Sequence, residues 1–329
     1  MRITIISPAG PRSRAGNRTT TVRWTRILRS LGHRVSLAQE WNGKPADLLV
    51  ALHALRMHSS IARFRAERPD SLLIVALGGT DLYRDLGRRR EARQSLELAD
   101  RLIALQGLAV RSLPSGLRHK VRVIHQSVDC VRSTHGKRPG RNVARRGVEG
   151  NGAPLKIAVI AHLRPLKDPF RPSMAARLLP GAPPVRVFQV GAAMTLAMAR
   201  RAKAEQQRNP GYTWLGSLPR GRTLAVMCRC DLVVVPSLME GGANVIGEAV
   251  VLGVPVLASK IDGNVGLLGA RYPGYFTPKD TLGLARLLER ARTDKSFLCR
   301  LQTACAARKK LFAPARERAA WRALLAESR

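Results

Sequence analysis

The sequence predicts an α/β fold of two doubly wound domains, each built on a parallel sheet and facing a central cleft. Three observations carry that expectation. Short apolar runs alternate with amphipathic stretches along most of the chain, the pattern of parallel strands joined by crossover helices. Most of the runs are too apolar to have one wet face, as strands covered on both sides are. The alternation stops once, between 131 and 154, and then resumes, so that 329 residues divide into two halves of ordinary domain size.

The first half gives strand candidates at Ile3–Ser7, Val35–Ala38, Leu48–Leu52, Leu72–Leu77, Arg101–Leu105 and Val121–Ile124. Between the first two, Val22, Ile27, Leu28 and Leu31 share one side of a helix from about Thr19 to Leu31, and Gly32 stands where a C-terminal cap belongs. Residues 131–154 hold five Gly, two Pro and six Lys or Arg against one Glu, the composition of an exposed interdomain linker. The second half gives strands at Leu155–Ala161, Val185–Val190, Tyr212–Leu215, Leu232–Val235 and Val254–Ala258. Pro314 to Ser328 reads as an amphipathic helix with Trp321 and Leu324 as packing residues. The expected organisation is an N-terminal domain over 1–130, the linker over 131–154, a second domain over 155–312 and a C-terminal helix over 313–329.

Composition narrows the function classes. Lys and Arg number 57 against 22 Asp and Glu, a formal charge of +35, and only 11 of the basic residues are lysine. Such a balance makes nucleic acid the first partner to test. Specific polyanion readers, however, interleave basic residues with exposed aromatics, and aromatic content here is 4% with no DNA or RNA motif. Nonspecific, salt-sensitive binding is expected in place of specific recognition. The N-terminus lacks the apolar core of a secretory signal and no stretch reaches the ~18 apolar residues of a membrane span, so a cytoplasmic protein is expected. The five cysteines are odd in number and lack framework spacing, which fits reduced thiols. Cys228-x-Cys230 lacks the four-ligand spacing of zinc and reads as buried structural thiols.

Doubly wound domains bind ligands at the carboxyl ends of their strands, so residues that carry chemistry belong just after strands. After Val235 comes PSLMEGGANVIGEAVVLGVPVLAS, with Glu240 in a loop and Glu248 inside the helix that follows. Backbone N–H groups at Gly241, Gly242, Ala243 and Asn244 can hold an anion at that helix start. Carboxylates beside a phosphate site cannot ligate phosphate; they accept hydrogen bonds from sugar hydroxyls. The cationic half of a diphosphate site is expected after the first strand of the second domain, where HLRPLKDPFR places Arg164 and Lys167, with His162 either part of the site or packing. Gly263, Asn264, Val265 and Gly266 read as a third loop that offers backbone N–H groups to phosphate. Asp-x-Asp is absent from the chain, so Arg, Lys and backbone groups are expected to replace a metal, and neither a metal nor another cofactor is expected.

The first domain is expected to bind the acceptor. Its first loop runs into a helix start at Gly16, Asn17 and Arg18 with Arg12 and Arg14 before it, an anion-ready arrangement. ALGGTDLYRDL puts Gly79, Thr80 and Asp81 after a strand: the glycines permit close backbone approach, Thr80 can donate to an oxyanion, and Asp81 can orient a cation or act as a base. A capped turn is the alternative for either residue. His53 follows the strand Leu48–Leu52, either as an acid, base or donor in the cleft or as packing at a strand end.

The 24-residue stretch after Val235 resembles the signature of retaining glycosyltransferases with the GT-B fold, two Rossmann-like domains and two Glu separated by seven residues. That resemblance implies that Glu248 binds the nucleotide ribose, Glu240 contacts the donor sugar, and Arg164 and Lys167 neutralise the leaving diphosphate. GNR at 16–18, GTDLYRDL, HLRPLKDPFR, EGGANVIGEA, and GLLG followed by YPGYF at Tyr272–Phe276 together resemble the selenosugar synthases of selenoneine biosynthesis, a subgroup of that family. The match spans nearly the whole chain apart from the linker. It implies a reaction between selenophosphate and the anomeric carbon of a UDP-sugar, UDP-N-acetylglucosamine, giving a selenosugar with release of UDP and phosphate. The chain departs from the broader family at His125-Gln126-Ser127, where many members carry Asn-Gly. A hydroxyl or thiol acceptor, and a basic nucleotide- or nucleic-acid-binding protein without transferase activity, are the other readings.

Overall fold

A computed structural model of the chain describes residues 1–10, 16–129, 153–181 and 184–327. The expected linker lies, up to residue 152, outside the described residues, as do Arg12, Arg14 and Cys130. The chain forms two units.

The first unit contains Met1–Ser127, Glu240–Gly242 and Leu311–Arg329. Six parallel strands, β1 (Arg2–Ile6), β2 (Arg34–Ala38), β3 (Leu48–Leu52), β4 (Leu72–Ala76), β5 (Arg101–Ala104) and β6 (Val121–Val123), lie in the order β2-β1-β3-β4-β5-β6. Every residue of β3 is buried, the reason its sequence reads as an unbroken apolar run. Its side chains divide between the faces with period two. Leu49 and Ala51 join Phe64, Leu73, Val75 and Leu96 in one core, while Leu48, Val50 and Leu52 join Ile3, Ile5, Trp24 and Leu28 in the other. Helix α1 (Gly16–Ser30) covers the second core; α2 (His58–Glu67) and α3 (Arg90–Leu98) cover the first. The predicted cap is present at Gly32, whose φ of +87° few other residues adopt. The helix Pro314–Ala326 adds Trp321, Leu324 and Leu325 to the second core, with Trp321 edge-on to Trp24 at 5.0 Å between centroids.

The second unit contains Val128–Met239 and Ala243–Lys310. Its strands are β7 (Leu155–Ile160), β8 (Val185–Val190), β9 (Tyr212–Trp214), β10 (Leu232–Val235), β11 (Val256–Ser259) and β12 (Tyr275–Phe276), all parallel, in the order β12-β11-β10-β7-β8-β9. Between and after them run α4 (Arg171–Ala176), α5 (Leu196–Arg208), α6 (Arg220–Cys228), α7 (Asn244–Leu252), α8 (Asp262–Leu268), α9 (Thr281–Thr293) and α10 (Lys295–Ala307). The sequence places β11 two residues too early. Val254 N–H instead closes α7 on Ala249 O after Gly253 (φ +75°), and Pro255 has no N–H to give a ladder. The strand β12 escapes the sequence because two residues carry no periodicity. It is held by side chains: Tyr272 Oη donates to Val256 O, Tyr275 Oη donates to Gly269 O at 2.9 Å, and the two rings meet edge-on.

Candidate active site

The strand order of the second unit reverses between β7 and β10, and a doubly wound sheet opens its crevice outside the carboxyl ends at such a switch point. Both signature stretches leave from these strands: His162–Arg171 follows β7, and the segment with Glu240 follows β10. The first continues the sheet before it turns. Ala161 N–H donates to Val190 O and Leu163 N–H to Ala192 O, both at 2.9 Å, while Met194 N–H donates to Leu163 O at 3.1 Å. Gly191 makes the approach possible: its φ is +151°, and a Cβ there would stand 2.0 Å from Ala161 O. Nδ1 of His162 accepts from Ala192 N–H at 3.1 Å, so this ring fastens the loop. Beyond it Arg164 is exposed, and Pro165–Lys167 form one tight turn closed by Lys167 N–H on Arg164 O at 3.0 Å. Asp168 follows in the left-handed region (φ +42°) and pairs with Arg171 at 2.8 Å.

Leu238 N–H donates to Leu166 O at 2.9 Å and ties this turn to the loop that leads to Glu240. The turn after β7 is thus bonded by backbone to the segment that leaves β10, within the second unit. Helix α7 starts at Asn244 with no side-chain cap, so no side chain satisfies the N–H groups at the positive end of its dipole. Glu248 lies one turn in, its side chain 13% exposed, with the Arg220 guanidinium 3.4 Å away. Sequence reasoning passed over Arg220, which approaches from α6, and over Gly191, whose signal was a glycine at a strand end.

The stretch Gly263–Gly266 requires a correction. It is helix rather than loop, lying within α8. The amides of Asn264 and Val265 are already bonded to Ile261 O at 2.9 Å, and the buried Asn264 side chain donates to Ser259 O at 2.9 Å. Composition rich in Gly and Asn hid a helix whose Asn264 side chain is bonded to the end of β11. The Cys228-x-Cys230 reading is corrected in part: Cys230 is buried, but Cys228 is exposed.

In the first unit the order reverses between β1 and β3. Gly16, Asn17 and Arg18 form the first turn of α1, where Thr20 Oγ1 donates to Gly16 O at 3.0 Å and Thr21 Oγ1 to Arg18 O at 2.9 Å. His53 caps the end of β3 with φ +91°, a conformation that costs a non-glycine residue of order 1–3 kcal/mol. Its Nδ1 lies 2.7 Å from Oδ1 of Asp81, and its Nε2 lies 2.9 Å from Thr80 Oγ1. With Asp81 as carboxylate, this contact places the proton on Nδ1, which Arg56 N–H also approaches at 3.4 Å, and Nε2 then accepts from the Thr80 hydroxyl. Asp81 is fully buried and its Oδ2 accepts from Gly78 N–H at 2.7 Å. It opens a single turn of wide helix, Asp81–Asp85, the kind of local deviation that recurs at functional sites.

The glycine of the GTD stretch also has a steric reason. A Cβ on Gly79 would stand 2.6 Å from Gly241 N, and one on Gly241 would stand 2.7 Å from Gly79 N. The loop that carries Thr80 and Asp81 therefore touches the residue after Glu240, all within the first unit. Glu240 itself is buried to 9% exposure. The departure at 125–127 is occupied structurally: Gln126 donates to Thr20 Oγ1, and Ser127 N–H donates to Glu317 at 2.8 Å.

Among the described residues, His53, Asp81 and Asp85 form the grouping whose ligand atoms lie close enough for a metal, within 4.8 Å of one another. Their donors are already engaged: Asp81 faces His53, and Asp85 accepts from Arg84 Nε at 2.7 Å. That hydrogen bond holds the Arg84 guanidinium above its ordinary value.

Two parallel six-stranded sheets with these loops at their carboxyl ends define the GT-B fold of nucleotide-sugar transferases. The family described as glycosyl transferases group 1 matches residues 141–310, and the chain belongs to it. It is 25% identical over 294 residues to glycosyltransferase 1 domain-containing protein 1 of Xenopus tropicalis, covering 84% of this chain and 85% of that one. Among solved structures, Anabaena HepE in complex with UDP-glucose superposes with a TM-score of 0.78 at 17% identity, over 99% of this chain and 100% of that one. Sucrose-phosphate synthase of Thermosynechococcus elongatus gives 0.74 at 16% identity, over 99% and 98%. Among the described residues no helix is long and apolar enough to cross a membrane.

Proposed function

We propose that the chain transfers the sugar of UDP-N-acetylglucosamine to selenophosphate, forming a bond between selenium and the anomeric carbon and releasing UDP and phosphate. The observation that carries this reading is the junction at the end of the second sheet, where the Arg164–Lys167 turn is bonded to the loop leading to Glu240 through Leu166 and Leu238. Arg164 and Lys167 hold the diphosphate and stabilise its charge as it leaves, without a metal. Glu248, oriented by Arg220, binds the ribose, and Glu240 contacts the sugar. The amides at Gly241, Gly242, Ala243 and Asn244 face the phosphate. The N-terminal domain takes the acceptor, with Gly16, Asn17, Arg18, Gly79, Thr80, Asp81 and His53 around it. HepE, captured with UDP-glucose, supports a UDP-sugar as donor. The selenophosphate assignment is supported by the five motifs above and by a basic, anion-ready helix start at Gly16–Arg18. A cytoplasmic setting fits the free thiols.

The test incubates the protein with UDP-N-acetylglucosamine, with and without selenophosphate under reducing conditions. UDP release and selenium-containing sugars are followed together by mass spectrometry. Selenophosphate-dependent UDP release with a selenosugar product is expected. UDP release that ignores selenophosphate and responds to a hydroxyl or thiol acceptor overturns the acceptor and keeps the transferase.

A further inference from the structure

Among the described residues six large apolar side chains are more than a third exposed, and four of them, Leu178 (52%), Met194 (58%), Leu196 (78%) and Leu282 (61%), belong to the second unit. They stand on one face of its sheet, where α4 lies between α5 and α9. Arg201 of α5 stacks over Phe170 at 4.4 Å, just before α4, and reaches Met174 Sδ at 3.8 Å. Arg171, at the start of α4, donates to Thr281 Oγ1 at 2.6 Å, at the start of α9. Leu178 and Leu282 face a common groove of about 480 Å³ between the end of α4 and α9. The two flanking helices repeat one pattern. Leu196, Arg200 and Lys203 share a stripe of α5, and Leu282, Arg286 and Arg290 share a stripe of α9, all exposed. Each helix thus begins with an exposed leucine and carries its nearest cation about 6 Å further along the axis.

The acids of these helices are engaged. Glu205 is buried between Arg208 and Arg177, Glu289 pairs with Arg292 at 2.6 Å, Asp294 pairs with Arg290 at 3.3 Å, and Asp280 accepts from Gly283 N–H at 2.8 Å as the cap of α9. Arg200, Lys203 and Arg286 have no acidic partner among the described residues. We propose that this face attaches the protein to a bilayer that carries anionic lipid, with the leucines seated at the acyl boundary and the free cations against headgroup phosphates. Charge selects this occupant. A second copy docked on the same face would set like charges against one another. A partner helix would anchor along one line of pockets, whereas these apolar side chains stand on three separate elements, as contact with a plane requires. Attachment is peripheral, since among the described residues no helix is long and apolar enough to cross a membrane. Apolar insertion and attraction to anionic lipid are each weak alone and add when one surface carries both. The attachment goes beyond sugar transfer and does not depend on the acceptor.

The experiment sediments the full chain with vesicles of phosphatidylcholine, with or without a one-third share of phosphatidylglycerol, at physiological salt and without substrates. A chain of formal charge +35 is drawn to anionic vesicles by charge alone, so the variants separate the face from the total. Leu178→Gln, Leu196→Gln and Leu282→Gln together keep the charge and are expected to weaken binding to the anionic vesicles about tenfold or more. Arg200→Gln, Lys203→Gln and Arg286→Gln together are expected to weaken it about tenfold or more as well. Arg88→Gln, Arg89→Gln and Arg90→Gln, an equal change of charge in the first unit, are expected to weaken it far less. Wild-type binding that the leucine variant matches, or equal losses from the two basic sets, assigns attraction to net charge and overturns the proposal. Failure of wild type to bind the anionic vesicles overturns it too. A wild type that self-associates in sedimentation velocity, with the leucine variant monomeric and neither bound to vesicles, gives the face to a second copy instead.

Discussion

Glu317 is a fully buried carboxylate kept in place by donors from three directions. Trp24 Nε1 reaches it at 2.7 Å, Arg23 Nε at 3.0 Å, and Ser127 through N–H at 2.8 Å and hydroxyl at 2.5 Å. Removing it leaves an indole N–H and a mostly buried guanidinium unpaired, so Glu317→Ala is expected to cost about 3–5 kcal/mol, read from the shift in denaturant midpoint at constant slope. A loss near zero would mean that the helix Pro314–Ala326 is held by its apolar face alone. The cysteines separate by environment. Burial pushes the Cys230 thiol up to about 12 and raises Cys305, while Cys228 and Cys299 are exposed. Because the reactive species is the thiolate, alkylation of native protein at about pH 8 is expected at Cys299 and, more slowly, at Cys228, whose thiol burial also raises, with Cys230 and Cys305 labelled only after unfolding. The sign for stability follows: a thiol held neutral contributes below its ordinary value and that contribution is lost as pH rises toward 12.

Elements position the chemistry through backbone contacts, and Gly191 is the tightest of them. Gly191→Ala is expected to push β8 from the His162–Lys167 loop. Misplacement of about 1 Å in a positioned group can cost on the order of 10²-fold, so kcat/KM for the UDP-sugar is expected to fall by about that factor, with UDP affinity by calorimetry weakened in parallel. An unchanged affinity would show that the loop keeps its place without the glycine. Glycine contacts of this kind also mark the limit of what the sequence discloses. The strands β3, β4, β7 and β10 are legible because each is covered on both faces, and the Arg164–Lys167 and Glu240 stretches are legible because they follow such strands. The α8 residues are not, since Gly and Asn suggest a loop where Ile261 O satisfies the helical amides. Neither is the Arg220–Glu248 pair, whose members lie on different helices, nor β12, which depends on two tyrosine hydroxyls. The Asp81–His53 contact joins residues from two strand ends, and no periodicity announces it.

At the scale of the molecule, a formal charge of +35 dominates. Binding to DNA or heparin at low salt is expected, with affinity that falls steeply between about 50 and 200 mM salt through counterion release, measured by fluorescence anisotropy. Binding of UDP, which rests on a few positioned groups, is expected to fall far less over the same range. Equal slopes would count against a built nucleotide site. The order of synthesis has a consequence too, because the first unit recruits its last helix from residues 314–326, after the second unit has been made. On the ribosome the second unit can close while the first waits with Trp24, Ile3 and Ile5 uncovered, its hydrophobic face completed only when Trp321 and Leu324 emerge. A nascent chain is thus exposed longest at its oldest end, and a nick near Ala313 would unsettle the half of the protein farthest from it in sequence.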